Sequence, residues 1–162
     1  MIDDKDRKIL TILQENARIS NADIAREIGM AQSGTLERVR KLEERGIIRG
    51  YQAIVDPGAL ELGLLAFVFV RAAEPAHETS CAHGIAEIPE VLEVHHIAGE
   101  DCYLAKVRAR DTEHLSRVLR EGFGRVHPTI TTRTTIVLTT VKEQWRLPLP
   151  EVEKSAAAST AA

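Results

Sequence analysis

Residues 20–50 read SNADIAREIGMAQSGTLERVRKLEERGIIRG, and the spacing of apolar residues in this stretch decides how the first third of the chain folds. Ile24, Ala25 and Ile28 fall on one face of a helix that Ser20 or Asn21 can cap, and Gly29 supplies the left-handed residue that stops it. A second helix follows after a turn of a few residues. Its apolar positions Leu36, Val39 and Leu42 are spaced by three and are expected inside, which leaves Gln32, Ser33, Thr35, Arg38, Arg40 and Lys41 for the outer faces. Gly46 closes the segment. Upstream, Asp3 to Asn16 reads as a helix with Ile9, Leu10, Leu13 and Ala17 on one face and Asp3 and Asp4 at the positive end of its dipole. Downstream, Ile47 to Val55 reads as a strand, ended by Asp56-Pro57-Gly58.

Two helices joined by a short glycine-containing turn, the second with polar residues at its start, form the pattern of a helix-turn-helix. Small polar side chains there suit base edges in a major groove, and Arg further along suits phosphate or guanine. Spacing alone leaves a second reading open, a three-helix packing unit with a solvated charged face. The formal charge of −3 divides into +1 over residues 1–55 and −4 over the remainder. Phosphate affinity grows with the number of phosphates neutralised, so so small an excess implies several copies acting together if the partner is DNA.

The second half reads as an α+β domain. Leu64 to Ala72 is a nearly continuous apolar run, expected to be a strand buried on both faces. A helix over Pro75–Ile88 follows, with Cys81, Ile85 and Ile88 at helical spacing. Then come a strand over Val91–Ala98, a tight turn at Gly99-Glu100-Asp101, and a partner strand from Cys102 to Ala109 with Tyr103, Ala105, Val107 and Ala109 on one face. Asp111 starts a helix with Leu115, Val118, Leu119 and Phe123 inward, and Ile130–Val141 closes the order as a strand. Strand, helix, strand, strand, helix, strand is the ferredoxin-like order. Both crossovers cover the same side, so the other face of an apolar sheet is expected to meet a second subunit.

Cys81 and Cys102 are too few for a disulfide framework, and no run of eighteen apolar residues or leader-like N-terminus occurs, so a reducing cytoplasm is expected. No phosphate loop, nucleophile elbow or paired-carboxylate motif supports an enzyme. Cys81, His83, His95, His96 and Cys102 lack metal-ligand spacing, so no metal or other cofactor is expected. Arg133 and Lys142 read as solvated or paired charges. From Leu147 the sequence LPLPEVEKSAAASTAA has no apolar period and reads as a disordered tail. The loop from Gly99 to Tyr103 combines turn amides with Glu100 and Asp101, the groups that an amino-acid zwitterion needs; read from its residues alone, an acidic hairpin turn selected for its geometry is the favoured reading, since Gly and Asp are common in turns.

The run IAREIGMAQSGTLERVRKLEERGIIRGYQAIVDP closely resembles the Lrp/AsnC (leucine-responsive, feast/famine) regulators, and the resemblance extends over roughly residues 2–145. Ala31 and Gly34 depart from it, where relatives often carry Ser and a Pro or bulkier residue. The resemblance implies an N-terminal (winged) helix-turn-helix domain over 1–50, a strand and linker over 51–63, a C-terminal ferredoxin-like βαββαβ domain for ligand binding and dimerisation over 64–145, and a tail over 146–162. By it, Gln32, Ser33, Thr35, Arg38, Arg40 and Lys41 lie at or beside the DNA. Gly99, Glu100, Asp101, Cys102 and Tyr103, with Thr134, Thr135 and Ile136 of the last strand, border a pocket for an effector, an amino acid, between subunits. Many relatives have Asp where Cys102 stands, and here the acid sits one place earlier. The resemblance further implies dimers that assemble into octamers or related rings. The expected function is a cytoplasmic, ligand-responsive, sequence-specific DNA-binding transcription regulator. The alternatives are a metal-sensing repressor built on the His/Cys set and an amino-acid sensor acting on a protein partner.

Overall fold

The computed structural model describes residues 2–73, 79–127 and 129–149. The chain divides into two compact units, Met1–Ala53 with Glu143–Ala162 and Ile54–Lys142.

The first unit is a helical trio. Helix α1 (Asp4–Glu15) opens on a reciprocal capping box in which Asp3 and Asp6 each accept the other's backbone N–H. Helix α2 (Asn21–Ile28) is capped by Ser20, which accepts from the Asp23 amide, and ends at Gly29 with φ 65°. Helix α3 (Gln32–Glu44) starts at Ala31, which has no side-chain cap to offer. Ile9, Leu10, Ile24, Ile28, Val39 and Leu42 form the core among them. Lys5 Nζ donates to the Ile28 carbonyl at 2.5 Å, satisfying one of the open acceptors at the end of α2 and tying it to α1.

Three expectations change here. Thr35 is fully buried and Leu36 is 52% exposed, the reverse of the reading from threefold spacing. The Thr35 hydroxyl bonds back to the Ala31 carbonyl at 3.2 Å, so its polar atom is satisfied and its methyl can enter the core. Residues 47–55 form no strand. The Ile47 and Ile48 amides both turn back onto the Leu42 carbonyl beyond Gly46 (φ 66°), and the following Tyr51–Val55 has no ladder to join. The end of the chain is also not wholly a tail, because residues 146–149 belong to the first unit. The Leu147 backbone exchanges two hydrogen bonds with the Gln14 amide group, Arg146 pairs with Glu15 at 2.7 Å, and Leu149 packs on the helical core. Residues 150–162 lie outside the described ones.

The second unit is a four-stranded antiparallel sheet in the order β2-β3-β1-β4, built from β1 (Leu64–Arg71), β2 (Val91–His96), β3 (Tyr103–Ala109) and β4 (Thr131–Ile136). Helix α4 (Ser80–Ala86) connects β1 to β2. Helix α5 (Thr112–Arg117), capped by Asp111, passes through a π-helical stretch (Val118–Phe123) into the short α6 (Gly124–Val126) before β4. This is the ferredoxin-like arrangement. Ala66, Val68 and Val70 of β1 and Tyr103, Ala105, Val107 and Ala109 of β3 are buried with Cys81, Ile85, Leu115, Val118 and Phe123 of the helices.

Strand β1 is not buried on both faces. Its Phe67 and Phe69 are only half-buried, because among the described residues no helix of this unit covers the side they share with Leu104 of β3. The predicted helix over Pro75–Ile88 begins at Ser80 among the described residues, and the last strand ends at Ile136 rather than Val141. At the β2 edge a bulge at Leu92 breaks the register between Val91 and Glu93 and leaves Leu92 54% exposed.

Candidate nucleic-acid interface and effector loop

Helix α3 is held by Thr35, Val39 and Leu42, so helical geometry divides its remaining residues between two flanks. Gln32, Ser33, Arg40 and Lys41 are exposed, as an interface requires. Arg40 pairs with Glu44 at 2.8 Å and Lys41 with Glu37 at 3.4 Å. All four side chains are more than half exposed, so these pairs hold their cations weakly. Leu36 joins the exposed set, an apolar group suited to a thymine methyl that the sequence reading had assigned to the core.

Arg38 behaves differently from its neighbours. Its Nη1 donates to Asp3 Oδ2 at 2.6 Å and to Asp6 Oδ1 at 2.8 Å, at the start of α1. The Asp6 amide first and the Arg38 guanidinium second hold the Asp3 carboxyl below its ordinary value, and the same pairing holds Arg38 above its own. Thr35 does not reach the surface at all. Beyond α3, the Tyr51 hydroxyl donates to Glu43 Oε1 at 2.9 Å, and burial followed by that carboxylate pushes its pKa up to about 12.

The second candidate site lies where the β2–β3 turn meets the sheet. Gly99 has φ 153°, and the Cys102 amide donates to the Val70 carbonyl at 2.8 Å, fixing the loop to the end of β1. Asp101 is largely enclosed and already engaged. Its Oδ2 accepts from Arg133 at 2.9 Å and its Oδ1 lies 3.9 Å from Arg71, while the Arg133 guanidinium sits 4.0 Å above the Phe69 ring. Glu100 by contrast is 93% exposed, with Arg71 3.9 Å away and the Arg71 Nε bonded to its backbone carbonyl. Sequence reasoning missed Arg71 and Arg133 as parts of this site. The strand alternation placed Arg133 among solvated or paired charges without naming its partner.

The other expected effector residues are spread out. The Tyr103 side chain is buried under the helices, 5.2 Å from the His96 ring, and Cys102 Sγ contacts the Ala72 carbonyl at 3.7 Å. Thr135 pairs with Phe67 and so shares the open face. Thr134 and Ile136 pair with Val68 and Ala66 on the helix side, each step carrying them further from the loop. The His/Cys set does not assemble, since Cys81 is buried in the core and His83 exposed, and the described residues contain no group of three metal-ligating side chains.

Two family models match the chain, a winged helix-turn-helix DNA-binding model over residues 2–49 and the Lrp/AsnC ligand-binding domain over 65–147. The chain belongs to the Lrp/AsnC family of DNA-binding transcriptional regulators. Among Lrp/AsnC members it is 35% identical to the HTH-type transcriptional regulator FL11 of Pyrococcus horikoshii, over 91% of this chain and 97% of that protein. It is 36% identical to the leucine-responsive regulatory protein of Escherichia coli over 90% of each. Its fold superposes with a TM-score of 0.84 on a transcriptional regulator of Neisseria meningitidis solved with L-methionine, at 30% identity over 91% of this chain and 97% of that one. The Mycobacterium tuberculosis feast or famine regulatory protein, complexed with L-methionine, superposes with a TM-score of 0.82 at 30% identity over 91% and 99%. No described helix is long and apolar enough to cross a membrane.

Proposed function

We propose that this regulator grips DNA through pairs of α3 helices, two per dimer, with Gln32, Ser33, Leu36, Arg40 and Lys41 as the contacting side chains. The observation that carries the reading is the surface of α3 itself, with exposed Gln32 and Ser33 at its start and beyond them Arg40 and Lys41, each held only by an exposed glutamate, while Val39 and Leu42 anchor the helix. The pairing surface in this reading is the open face of the sheet, where Phe67, Phe69 and Leu104 remain half-buried. Two copies also answer the charge objection, since a two-fold axis doubles the phosphates contacted without adding net charge to either grip. Larger rings of dimers are a further part of the proposal.

An amino acid is the effector class that fits best, on the strength of L-methionine in two related regulators and of the ion-pair set at the β2–β3 turn. Asp101 is engaged by Arg133 at 2.9 Å, whereas Glu100 is 93% exposed and only loosely paired with Arg71 at 3.9 Å, so Glu100 is the carboxylate more available to an ammonium group. The test is a gel-shift on the gene's own upstream region with and without a panel of amino acids, L-methionine first. A retarded band whose size or affinity shifts with one of them is expected. A band that ignores the whole panel would remove the effector from the proposal and leave DNA binding standing.

A further inference from the structure

Arg38 stands in the basic run of α3, yet its surroundings do not suit a phosphate. Asp3 gives Oδ1 to the Asp6 amide and Oδ2 to Arg38; Asp6 gives Oδ2 to the Asp3 amide and Oδ1 to Arg38. Every carboxylate oxygen of the capping box is thereby used once, and one guanidinium nitrogen bridges the two acids. The Asp6 side chain is only 10% exposed and that of Arg38 32%, against 69% for Arg40. One cation faces two anions, so the local field opposes a third.

From this network we infer that Arg38 is a positioning residue, which fastens the middle of α3 to the first turn of α1 and thereby sets the pitch at which Gln32, Ser33 and Leu36 meet the bases. Helical geometry puts Arg38 and Gly34 on the flank of α3 toward α1, beside a hollow that Asp6, Met30, Gly34 and Leu42 line, and Leu36 and Arg40 on the other. The start of α3 has no side-chain cap, so the clamp supplies from its middle the definition that Ala31 cannot supply at its end. The inference rests on α3 being the helix that enters the groove.

The sign of one substitution separates positioning from phosphate binding. Asp6→Asn removes a competing negative charge but keeps the side chain's shape. A phosphate-binding Arg38 would then bind DNA more tightly with a steeper salt dependence; a positioning Arg38 would lose specific affinity. The measurement is fluorescence-anisotropy titration of the full chain on a duplex selected by the wild type and on a scrambled duplex, over a series of salt concentrations. Arg38→Ala and Asp6→Asn are each expected to lower affinity for the selected duplex by about tenfold and to change the scrambled duplex little, with the salt slope preserved. Arg40→Ala is expected to weaken both duplexes and lower the slope by about one. Because Arg38→Ala risks unfolding the unit, Arg38→Met serves beside it: a long side chain that fills the same space but can donate to neither acid should still lose discrimination. Tighter binding by Asp6→Asn, or a slope reduced by about one in Arg38→Ala, overturns the inference. If Arg40→Ala and Ser33→Ala both leave binding untouched, α3 is not the reading helix and the failure lies in that premise.

Discussion

Gly34→Ala is expected to stabilise the helical unit, and the size of the gain follows from the local structure. Gly34 lies within α3 at an ordinary helical φ, and an added Cβ would meet only Met30 Cε, at 3.5 Å, an unstrained contact with the end of a flexible side chain. The difference in helix propensity is then uncompensated, roughly 0.8–1 kcal/mol in favour of Ala. In a unit of this size a gain of about 1 kcal/mol raises the midpoint of thermal unfolding by roughly 4 °C or more. The assay is urea and thermal denaturation followed by far-UV circular dichroism, where the urea midpoint should rise with its slope unchanged. If fraying of the uncapped start limits DNA binding, affinity rises too, by no more than about fivefold for a gain of about 1 kcal/mol. A fall in stability would refute the reasoning, since it would mean either that Met30 cannot yield or that residue 34 is not helical in solution.

The same substitution at Gly84, the glycine of α4, should have the opposite sign. Gly84→Ala places a Cβ 2.7 Å from Val126 Cγ1 where α4 packs on α6, so a loss of roughly 1–3 kcal/mol is expected in denaturation of the sheet unit despite the better helix former. Phe67→Asp puts a charge on the open sheet face, and light scattering should show the assembly reduced toward monomer, whereas an unchanged mass would place the dimer contact elsewhere. Glu100→Ala should abolish the amino-acid response in the gel-shift while Asp101→Asn, which frees Arg133 without emptying the exposed carboxylate, should keep it; the reverse pattern would move the ammonium site to Asp101. For pH, the Asp3 carboxyl is depressed in the folded state, so its contribution is complete above its ordinary 3.8 and is lost as the pH falls through its lower folded value. A carbon-detected NMR titration should therefore find its midpoint below 3.8, and an ordinary midpoint would show that neither the Asp6-amide cap nor the Arg38 pairing is populated.

What the sequence disclosed was local. Ser20, Gly29 and Asp111 were readable as caps because each acts on amides or carbonyls within four residues. The ferredoxin-like order was readable because strand and helix periods alternate along residues 64–136. Thr35 and Leu36 were exchanged because hydropathy ranks leucine inside. A threonine that bonds back to its own helix can take the place one residue earlier, in the row Thr35, Val39, Leu42. The strand expected over 47–55 required a partner that no nearby residues announce. The Asp101–Arg133 pair, 32 residues apart, depends on the register between β1 and β4, and the Arg38 clamp on the crossing of α1 and α3, neither of which a linear pattern encodes.

The return of Leu147 to Gln14, across 133 residues, makes the helical unit discontinuous along the chain, with the entire sheet unit inserted in it. On a ribosome, α1 to α3 emerge first and must wait for everything else to be synthesised before their last packing partner, Leu149, arrives. A polypeptide cut short anywhere in the sheet would carry all of α3, with the side chains proposed to meet DNA, and lack that closing segment. Completion of the helical unit thus follows synthesis of the whole sheet unit, and a chain that stops earlier lacks the Leu147–Gln14 bonds and the Leu149 contact.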